Sequence, residues 1–349
     1  MAKHFPWWAV LFPALGVVEI AARGTVPLAV VAVTLVGVIF AAVRHAETVA
    51  QRLGDLLGAL VLALSITVIE AGLIVSMMLG GAEPTVARDS IFSALMIALN
   101  GVLGLCLLLG GRRWFEQNFR PSASNAFLAV LIPLAVLTLV LPTHTVSADG
   151  PVYSAPQLLF VAIIAFGLYV AFLYVQLVRH RREFIADHEI GAAHARPHTL
   201  AAALAGVLLV LSLVCVVMLA EALAPALEGA VRGAGLPLSL VGVAIATLVL
   251  MPEGLTAIRA AARNNLQAAL NLTLGSVLAC VGLTIPAVAV VALVTGQPLH
   301  LGLDAAMTVL LATTFLMLAV TLNTGRTTVL EGMVHLAVFA AFVLFSFLP

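Results

Sequence analysis

Residues 87–104, ARDSIFSALMIALNGVLG, resemble a second stretch of the same chain, ARNNLQAALNLTLGSVLA, at residues 262–279. The two stretches align without gaps and are identical at seven of eighteen positions. An internal repeat is considered before any single motif, because it determines how the rest of the chain is divided. The match indicates that the chain contains a duplication.

The composition of the whole chain is that of a membrane protein. Of the 349 residues, 63% are hydrophobic and 9% are charged, and the mean hydropathy is +1.18. A water-soluble globular domain has a much larger charged fraction. At about 20 apolar residues per bilayer-spanning helix, the chain suffices for about eleven spans and short connections. We therefore predict an all-α polytopic membrane protein without a separate catalytic domain.

Hydropathy places spans along nearly the whole sequence. Glycine and proline mark most of the turns between them, and Gly110-Gly111 is expected to end the fourth span. The predicted spans are residues 7–22, 25–43, 56–80, 90–109, 126–141, 157–178, 200–223, 236–258, 268–294, 303–322 and 329–348.

The positive charges support this layout, because Lys and Arg gather on the cytoplasmic side of membrane proteins. With the N-terminus inside, thirteen of them fall on the inner side and three on the outer side. The odd number of spans then places the C-terminus outside. The inner residues are Lys3, Arg44, Arg52, Arg112, Arg113, Arg120, Arg179, Arg181, Arg182, Arg196, Arg259, Arg263 and Arg326, and the outer ones are Arg23, Arg88 and Arg232.

The duplication divides the spans into two sets of five after one leading helix. We predict a leading transmembrane helix at 1–24, a first five-helix repeat at 25–178, a cytoplasmic linker rich in His and charged residues at 179–198, and a second five-helix repeat at 199–349. An odd number of spans per repeat gives the two copies opposite orientations. Inverted repeats are typical of alternating-access transporters, which bind their substrate near the midplane between the repeats.

One acidic residue lies in the apolar span before each copy of the repeat: Glu70 in SITVIEAGLIV and Glu253 in ATLVLMPEGLTAI. A carboxylate in hydrocarbon is costly unless it is paired, protonated or hydrated, so it predicts a functional site. Pro252 lacks a backbone N–H and is expected to break or kink its helix, which frees carbonyl oxygens toward an ion. We predict that the facing repeats bring Glu70 and Glu253 together.

Asn100 and Ser276 occupy neighbouring positions of the aligned repeats and add an amide and a hydroxyl. Such oxygen donors suit a hard divalent cation such as Ca²⁺. Two carboxylates this close in a low dielectric cannot both stay ionised without a cation. Protons and the cation would then compete for the same oxygens, which is the physical basis of antiport.

Other acidic residues lie nearer the predicted membrane edges. Glu47 and Glu221 belong to a second pair of matching Ala-Glu elements. We expect them either to form caps or salt bridges with Arg44 or Arg232, or to gate the path or relay protons. Glu19, near the end of the first span, is expected to be an interface residue.

Several other functions are excluded because the sequence lacks the motifs that they require. Lys3 is the only lysine, so a Walker A loop is absent and ATP cannot drive the protein through one. No basic stripe indicates nucleic-acid binding. Ala192 stands where a zinc-binding H-E-x-x-H pattern starting at His188 requires its second histidine. We predict no enzymatic activity and no cofactor; the expected partners are inorganic cations, protons and the lipid bilayer.

The chain resembles the calcium/cation antiporter superfamily, and in particular its bacterial ChaA-type calcium/proton antiporter branch. The resembling stretches are HAETVAQRLGDLLGALVLALSITVIEAGLIVSMML at 45–79, ALNGVLGLCLLLGG at 98–111 and LMPEGLTAIRAAARNNLQAALNLTLGSVLACVGLTIP at 250–286. The resemblance implies an inverted-repeat antiporter of the inner membrane that exchanges Ca²⁺ for H⁺. By matching motif it implies Glu70 and Glu253 as shared cation and proton ligands, Asn100 and Ser276 as supporting ligands, and Glu47 and Glu221 as proton-path residues.

The sequence departs from the broader cation/proton exchanger family just before each glutamate. Thr67-Val68 and Leu250-Met251 stand where that family has Gly-Asn, so the amide ligands from those positions are missing. Exchange of Na⁺ or K⁺ for protons is therefore the alternative to Ca²⁺. A passive cation channel is a further alternative, because selectivity rings also use carboxylates.

Overall fold

The computed structural model describes residues 6–22, 26–81, 83–184 and 197–348. The α-helices, in chain order, are α1 (Trp7–Ala21), α2 (Leu28–Leu53), α3 (Asp55–Leu79), α4 (Val86–Met96), α5 (Leu103–Trp114), α6 (Pro121–Ala135), α7 (Ala155–Tyr174), α8 (Arg181–Phe184), α9 (Thr199–Gly233), α10 (Ser239–Ala262), α11 (Leu266–Ala279), α12 (Ile285–Thr295), α13 (Ala305–Asn323) and α14 (Val329–Phe347). Short π-helical segments at Ile97–Val102, Val136–Val140, Val175–Arg179 and Cys280–Thr284 continue α4, α6, α7 and α11, and a 3-10 turn covers Leu141–His144. Two-residue strands β1 (Gln117–Asn118) and β2 (Arg326–Thr327) pair in antiparallel fashion.

Within the described residues, ten helical stretches are long and apolar enough to cross a bilayer. They coincide with the second to eleventh predicted spans. The first predicted span is a shorter apolar helix, α1, of 15 residues. At 1.5 Å per residue its length is about 22 Å, less than the roughly 30 Å hydrocarbon core. The prediction of an all-α polytopic membrane protein is confirmed.

Two helices continue about ten residues beyond their predicted ends: α2 to Leu53 and α9 to Gly233. The extra turns are rich in Ala, Leu, Glu and Arg, which are strong helix formers even where charge lowers the hydropathy. Glu47, which lies beyond the end of its predicted span, and Glu221, which lies near the end of its own, are therefore both inside long helices.

Contacts between helices divide the chain into two compact units. The first unit contains α1, α2, α3 and α9, and α2 packs against the other three helices. Thr34 Oγ1 of α2 donates a hydrogen bond of 2.7 Å to Glu19 Oε1 of α1. His45 Nε2 of α2 donates to the backbone carbonyl of Ala9 at 2.8 Å. Glu19 is only 9% exposed, so it is a buried hydrogen-bonded residue of this unit.

The second unit contains α4 to α8 and α10 to α14. At one end of this unit β1 pairs with β2, and Gln117 Nε2 donates to the carbonyl of Ala261 at 2.9 Å. At the opposite end of the α4–α5 helix, the N–H of His300 donates to the carbonyl of Pro84 at 3.3 Å. The connections therefore group at two ends, as alternating membrane crossings require. Each unit takes helices from both predicted repeats, and the repeat boundaries stay a prediction.

Gly110 and Gly111 do not end the fourth span, because α5 continues to Trp114. A Cβ on Gly110 would lie 1.7 Å from Gln117 Oε1, and a Cβ on Gly111 would lie 2.8 Å from the backbone nitrogen of Val329. Gly110 therefore leaves room for the Gln117 side chain. Gly111 permits close approach of the start of α14, which is a usual role of small residues in membrane helices.

Helix α14 packs against the backbone of α5 through Gly332. A Cβ on this glycine would lie 2.5 Å from the backbone nitrogen of Leu108 and 3.0 Å from the carbonyl oxygen of Gly104. We expect Gly332→Ala to lower the thermal unfolding temperature in detergent by several degrees, because these backbone atoms cannot move aside. Gly167→Ala on α7 is the matched control, since no described atom lies within 4 Å of a Cβ there. Equal unfolding temperatures for the two variants would contradict this packing.

Candidate functional site

The two membrane glutamates occupy equivalent places in their helices. Glu70 is followed by nine residues of α3, and Glu253 is followed by nine residues of α10. Because α10 extends to Ala262, Glu253 lies deeper in its helix than the sequence indicated. Of the predicted break or kink at Pro252, the break is wrong, since α10 continues through the proline; the kink stays a prediction. Because Pro252 has no backbone N–H, the backbone carbonyl of Leu248 does not receive the hydrogen bond that residue 252 would otherwise donate to it in the helix.

Glu253 contacts a hydroxyl from the neighbouring helix. Ser276 Oγ of α11 donates a hydrogen bond to Glu253 Oε2. Both residues are half-buried. The structure thus places side by side two of the four residues proposed as ligands, a carboxylate and a hydroxyl, both of which are hard oxygen donors. Their role as ligands stays a prediction.

Asn100 lies in the π-helical segment Ile97–Val102 and is fully buried. Its Nδ2 donates to Thr314 Oγ1 of α13 at 2.9 Å and lies 3.8 Å from the sulfur of Met96 one turn earlier. Its Oδ1 lies 3.3 Å from His335 Nδ1 of α14. These hydrogen-bond partners of Asn100 lie on α13, on α14 and in the preceding turn, at the end of α4.

His335 is the functional candidate for which the sequence indicated no role. It is fully buried, and its second ring nitrogen, Nε2, lies 3.2 Å from Thr321 Oγ1 of α13. The sequence feature that could have identified it is the position of a histidine inside an apolar run. The sequence did not indicate Thr314 and Thr321 either. These two residues are seven positions apart and therefore lie on one face of α13. The hydroxyl of Thr314 contacts Asn100, and the hydroxyl of Thr321 contacts His335.

The π-helical segment that carries Asn100 also packs against the helix of Glu253. A Cβ on Gly254 would lie 3.0 Å from Val102 Cγ2, so α10 and this segment approach closely next to Glu253. π-helical turns are rare and occur frequently at functional sites, because they interrupt the regular backbone hydrogen bonds. In the second unit, Glu253, Ser276 and the Asn100 segment thus belong to neighbouring elements.

Glu70 belongs to the first unit. It is 7% exposed. Its helix packs closely against α9, because a Cβ on Gly72 would lie 2.7 Å from Val217 Cγ2. The pairing of Glu70 with Glu253 stays a prediction.

The two edge glutamates differ from each other. Glu47 forms a salt bridge of 3.0 Å with Arg44, one turn earlier in α2, and the two side chains are about one-third exposed. This is one of the two arrangements expected for Glu47. Glu221 is exposed on α9. The gating or proton-relay role of both residues stays a prediction.

The linker at 179–198 is described only in part. His180 Nδ1 lies 3.2 Å from Glu183 Oε1. His188, Glu189 and His194 lie outside the described residues. In the part of the chain that the structure describes, no group of three or more His, Cys, Asp or Glu residues is arranged to hold a metal ion.

Comparison with known proteins identifies relatives over the whole length of the chain. It is 46% identical over 361 residues to y4hA of Sinorhizobium fredii, which is provisionally named an ionic transporter, and the alignment covers 100% of this chain and 98% of that one. It is 35% identical over 353 residues to the sodium-potassium/proton antiporter ChaA of Escherichia coli, with 97% of this chain and 96% of that one covered.

Solved structures have the same fold at low sequence identity. Native YfkE matches with a TM-score of 0.74 at 20% identity, over 98% of this chain and 99% of that one. The H⁺/Ca²⁺ exchanger CAX matches with a TM-score of 0.74 at 16% identity, over 96% and 86% of the two chains. The sodium/calcium exchanger protein family matches residues 24–178 and 204–348, one segment in each predicted half of the chain. Because these segments cover most of the sequence, the chain is a multi-pass membrane protein that belongs to the sodium/calcium exchanger protein family.

Proposed function

We propose that the protein exchanges a cation for protons by alternating access, and that Glu70 and Glu253 bind the cation and the protons in turn. The observation that carries this proposal is Glu253 within a membrane helix, in contact with the hydroxyl of Ser276. Glu70 has the equivalent place in its own helix, with the same number of residues after it.

The chemistry follows from the membrane around these residues. A carboxylate there is stable when it is protonated or bound to a cation, and two such groups in one site cannot both be charged and empty. Loading the cation therefore displaces protons, and protons displace the cation. Moving one net charge against 100 mV costs about 2.3 kcal/mol, so export of a divalent ion is favoured when at least two protons return.

Ca²⁺ is the first candidate substrate. Two carboxylates, a hydroxyl and an amide oxygen are hard donors, and their charge matches that of a divalent ion. Solved structures with the same fold include an H⁺/Ca²⁺ exchanger. A vacuolar calcium ion transporter of Schizosaccharomyces pombe is also a relative, at 28% identity over 76% of this chain.

Na⁺ or K⁺ is the second candidate. The observation that favours it is the 35% identity, over nearly the whole chain, to a sodium-potassium/proton antiporter. The amide ligands missing before each glutamate point the same way, because a site with fewer oxygens is less suited to the six to eight that Ca²⁺ takes.

Everted membrane vesicles with a preformed pH gradient separate these candidates. We expect addition of Ca²⁺ to dissipate the gradient in vesicles that contain the protein and not in vesicles without it. If Na⁺ or K⁺ dissipates the gradient and Ca²⁺ leaves it unchanged, the monovalent alternative holds. Cation flux that continues without proton counterflow would contradict antiport and favour a channel.

We also propose residence in the bacterial inner membrane, with the N-terminus in the cytoplasm and the C-terminus outside. The bias of Arg and Lys toward one set of connections supports this orientation. A reporter that is active only outside the cytoplasm, fused after residue 349, should be active. An inactive C-terminal fusion together with an active fusion in the 179–198 linker would reverse the orientation.

A further inference from the structure

A row of hydrogen-bonded, buried polar side chains connects α13, α14 and the π-helical segment of Asn100 in the second unit, next to the proposed site. It runs from Thr321 through His335 and Asn100 to Thr314, with contacts of 3.2, 3.3 and 2.9 Å. The exposed fraction is zero for three of these residues and 5% for Thr321. Buried polar groups of this kind restrict side-chain orientation, because each unsatisfied donor or acceptor is costly.

The donor and acceptor roles along this row of side chains follow from Thr314, at one end of it. Thr314 donates its O–H to the carbonyl of Leu310 at 2.8 Å, so its oxygen accepts from the Asn100 amide nitrogen. The amide oxygen of Asn100 therefore faces His335, and His335 donates to it from Nδ1–H. Nε2 is then an acceptor, and the hydroxyl of Thr321 donates to it. The orientation of the Asn100 amide and the histidine tautomer are assigned together from this network.

We propose that His335 is a positioning residue for cation binding: it holds the Asn100 side chain with its amide oxygen available to the transported ion. An amide oxygen has two lone pairs, and the histidine N–H occupies one of them. Rotation of the amide by half a turn would present N–H groups, which repel a cation. This inference rests on the proposed function, because it requires Asn100 to be a ligand.

A purely structural role for His335 is the competing explanation. The histidine also fills the contact between α14 and α5, since a Cβ on Gly104 would lie 3.2 Å from His335 Cβ. A packing defect would lower the amount of folded protein and the maximal rate. Loss of positioning would instead raise the cation concentration needed for half-maximal exchange.

The test compares His335→Asn with His335→Gln in the full-length protein, with the cation that the wild type exchanges. Asn places its amide group where Nδ1 lies and keeps a donor for Asn100, whereas Gln places the same group where Nε2 lies. We expect His335→Gln to raise KM for the cation about tenfold, the effect of losing one hydrogen bond at a charged site. His335→Asn should keep a KM close to that of the wild type.

The same substitutions in an Asn100→Ala background complete the test. Asn100→Ala alone should raise KM, and His335→Gln should then cause no further increase. If Asn100→Ala alone raises KM and His335→Gln does not, or if the two His335 variants behave alike, the positioning role is wrong while the proposed site stands. If the wild type exchanges no cation at all, the proposed function itself fails. An unchanged KM in Asn100→Ala would overturn both the ligand role of Asn100 and this inference.

Discussion

Replacing Glu253 by Gln is expected to abolish cation/proton exchange. Gln has nearly the same size and can still accept the hydrogen bond that Ser276 donates to Glu253. It neither ionises nor releases a proton, so it cannot alternate between a protonated and a cation-loaded form. The expected result is full membrane insertion with no cation-dependent dissipation of a pH gradient in everted vesicles.

The control for this variant is Glu331→Gln in the same unit. Glu331 accepts hydrogen bonds from the backbone N–H and the hydroxyl of Thr328 at the start of α14. Gln also serves in such a capping box, so exchange should continue at close to the wild-type rate. Full activity of Glu253→Gln would remove this residue from the site, whatever the control does.

Replacing Glu70 by Gln should have an equally large effect, because antiport at a shared site requires both carboxylates. The charge balance gives the reason: with one carboxylate left, a divalent cation is only half neutralised and fewer protons are released on binding. We expect no exchange in the vesicle assay, at a level of inserted protein equal to that of the wild type.

Glu19→Gln is the matched control in the first unit. Glu19 is buried like Glu70, at 9% and 7% exposure, and it accepts a hydrogen bond from Thr34. Gln can accept the same bond, so this variant tests whether loss of any buried glutamate in this unit stops exchange. A loss of exchange in Glu19→Gln as large as that in Glu70→Gln would mean that the effect is not specific to the proposed ligand.

The membrane helices could be predicted because a bilayer leaves the backbone few options. An apolar segment in lipid must satisfy its own hydrogen bonds, so hydropathy predicts its secondary structure. The predicted helix ends were least accurate where charged residues lower the hydropathy although the residues favour a helix, as at the ends of α2 and α9. At Pro252 a local rule predicted a break or kink, yet α10 continues through the proline. Proline is tolerated in membrane helices, because neighbouring helices and side chains can satisfy the backbone groups that it leaves free.

The site was predicted less completely than the fold. The contact of Ser276 with Glu253 follows from two consecutive helices of one repeat, and sequence reasoning could anticipate it. Two partners of Asn100, on α13 and α14, are more than 200 residues away. Nothing in the spacing of the repeat indicates them. The π-helical segments at Ile97–Val102 and Cys280–Thr284 likewise have no signal in hydropathy, since one extra residue per turn leaves the composition unchanged.

Proton release on cation binding tests the central claim most directly. The purified protein in weakly buffered detergent solution is mixed with Ca²⁺, Na⁺ and K⁺ in turn while a pH indicator is followed. We expect the transported cation to release protons from the wild type and none from a Glu70→Gln/Glu253→Gln double variant. Cation binding to the wild type without proton release, or equal release from the double variant, would contradict a shared site at these two carboxylates.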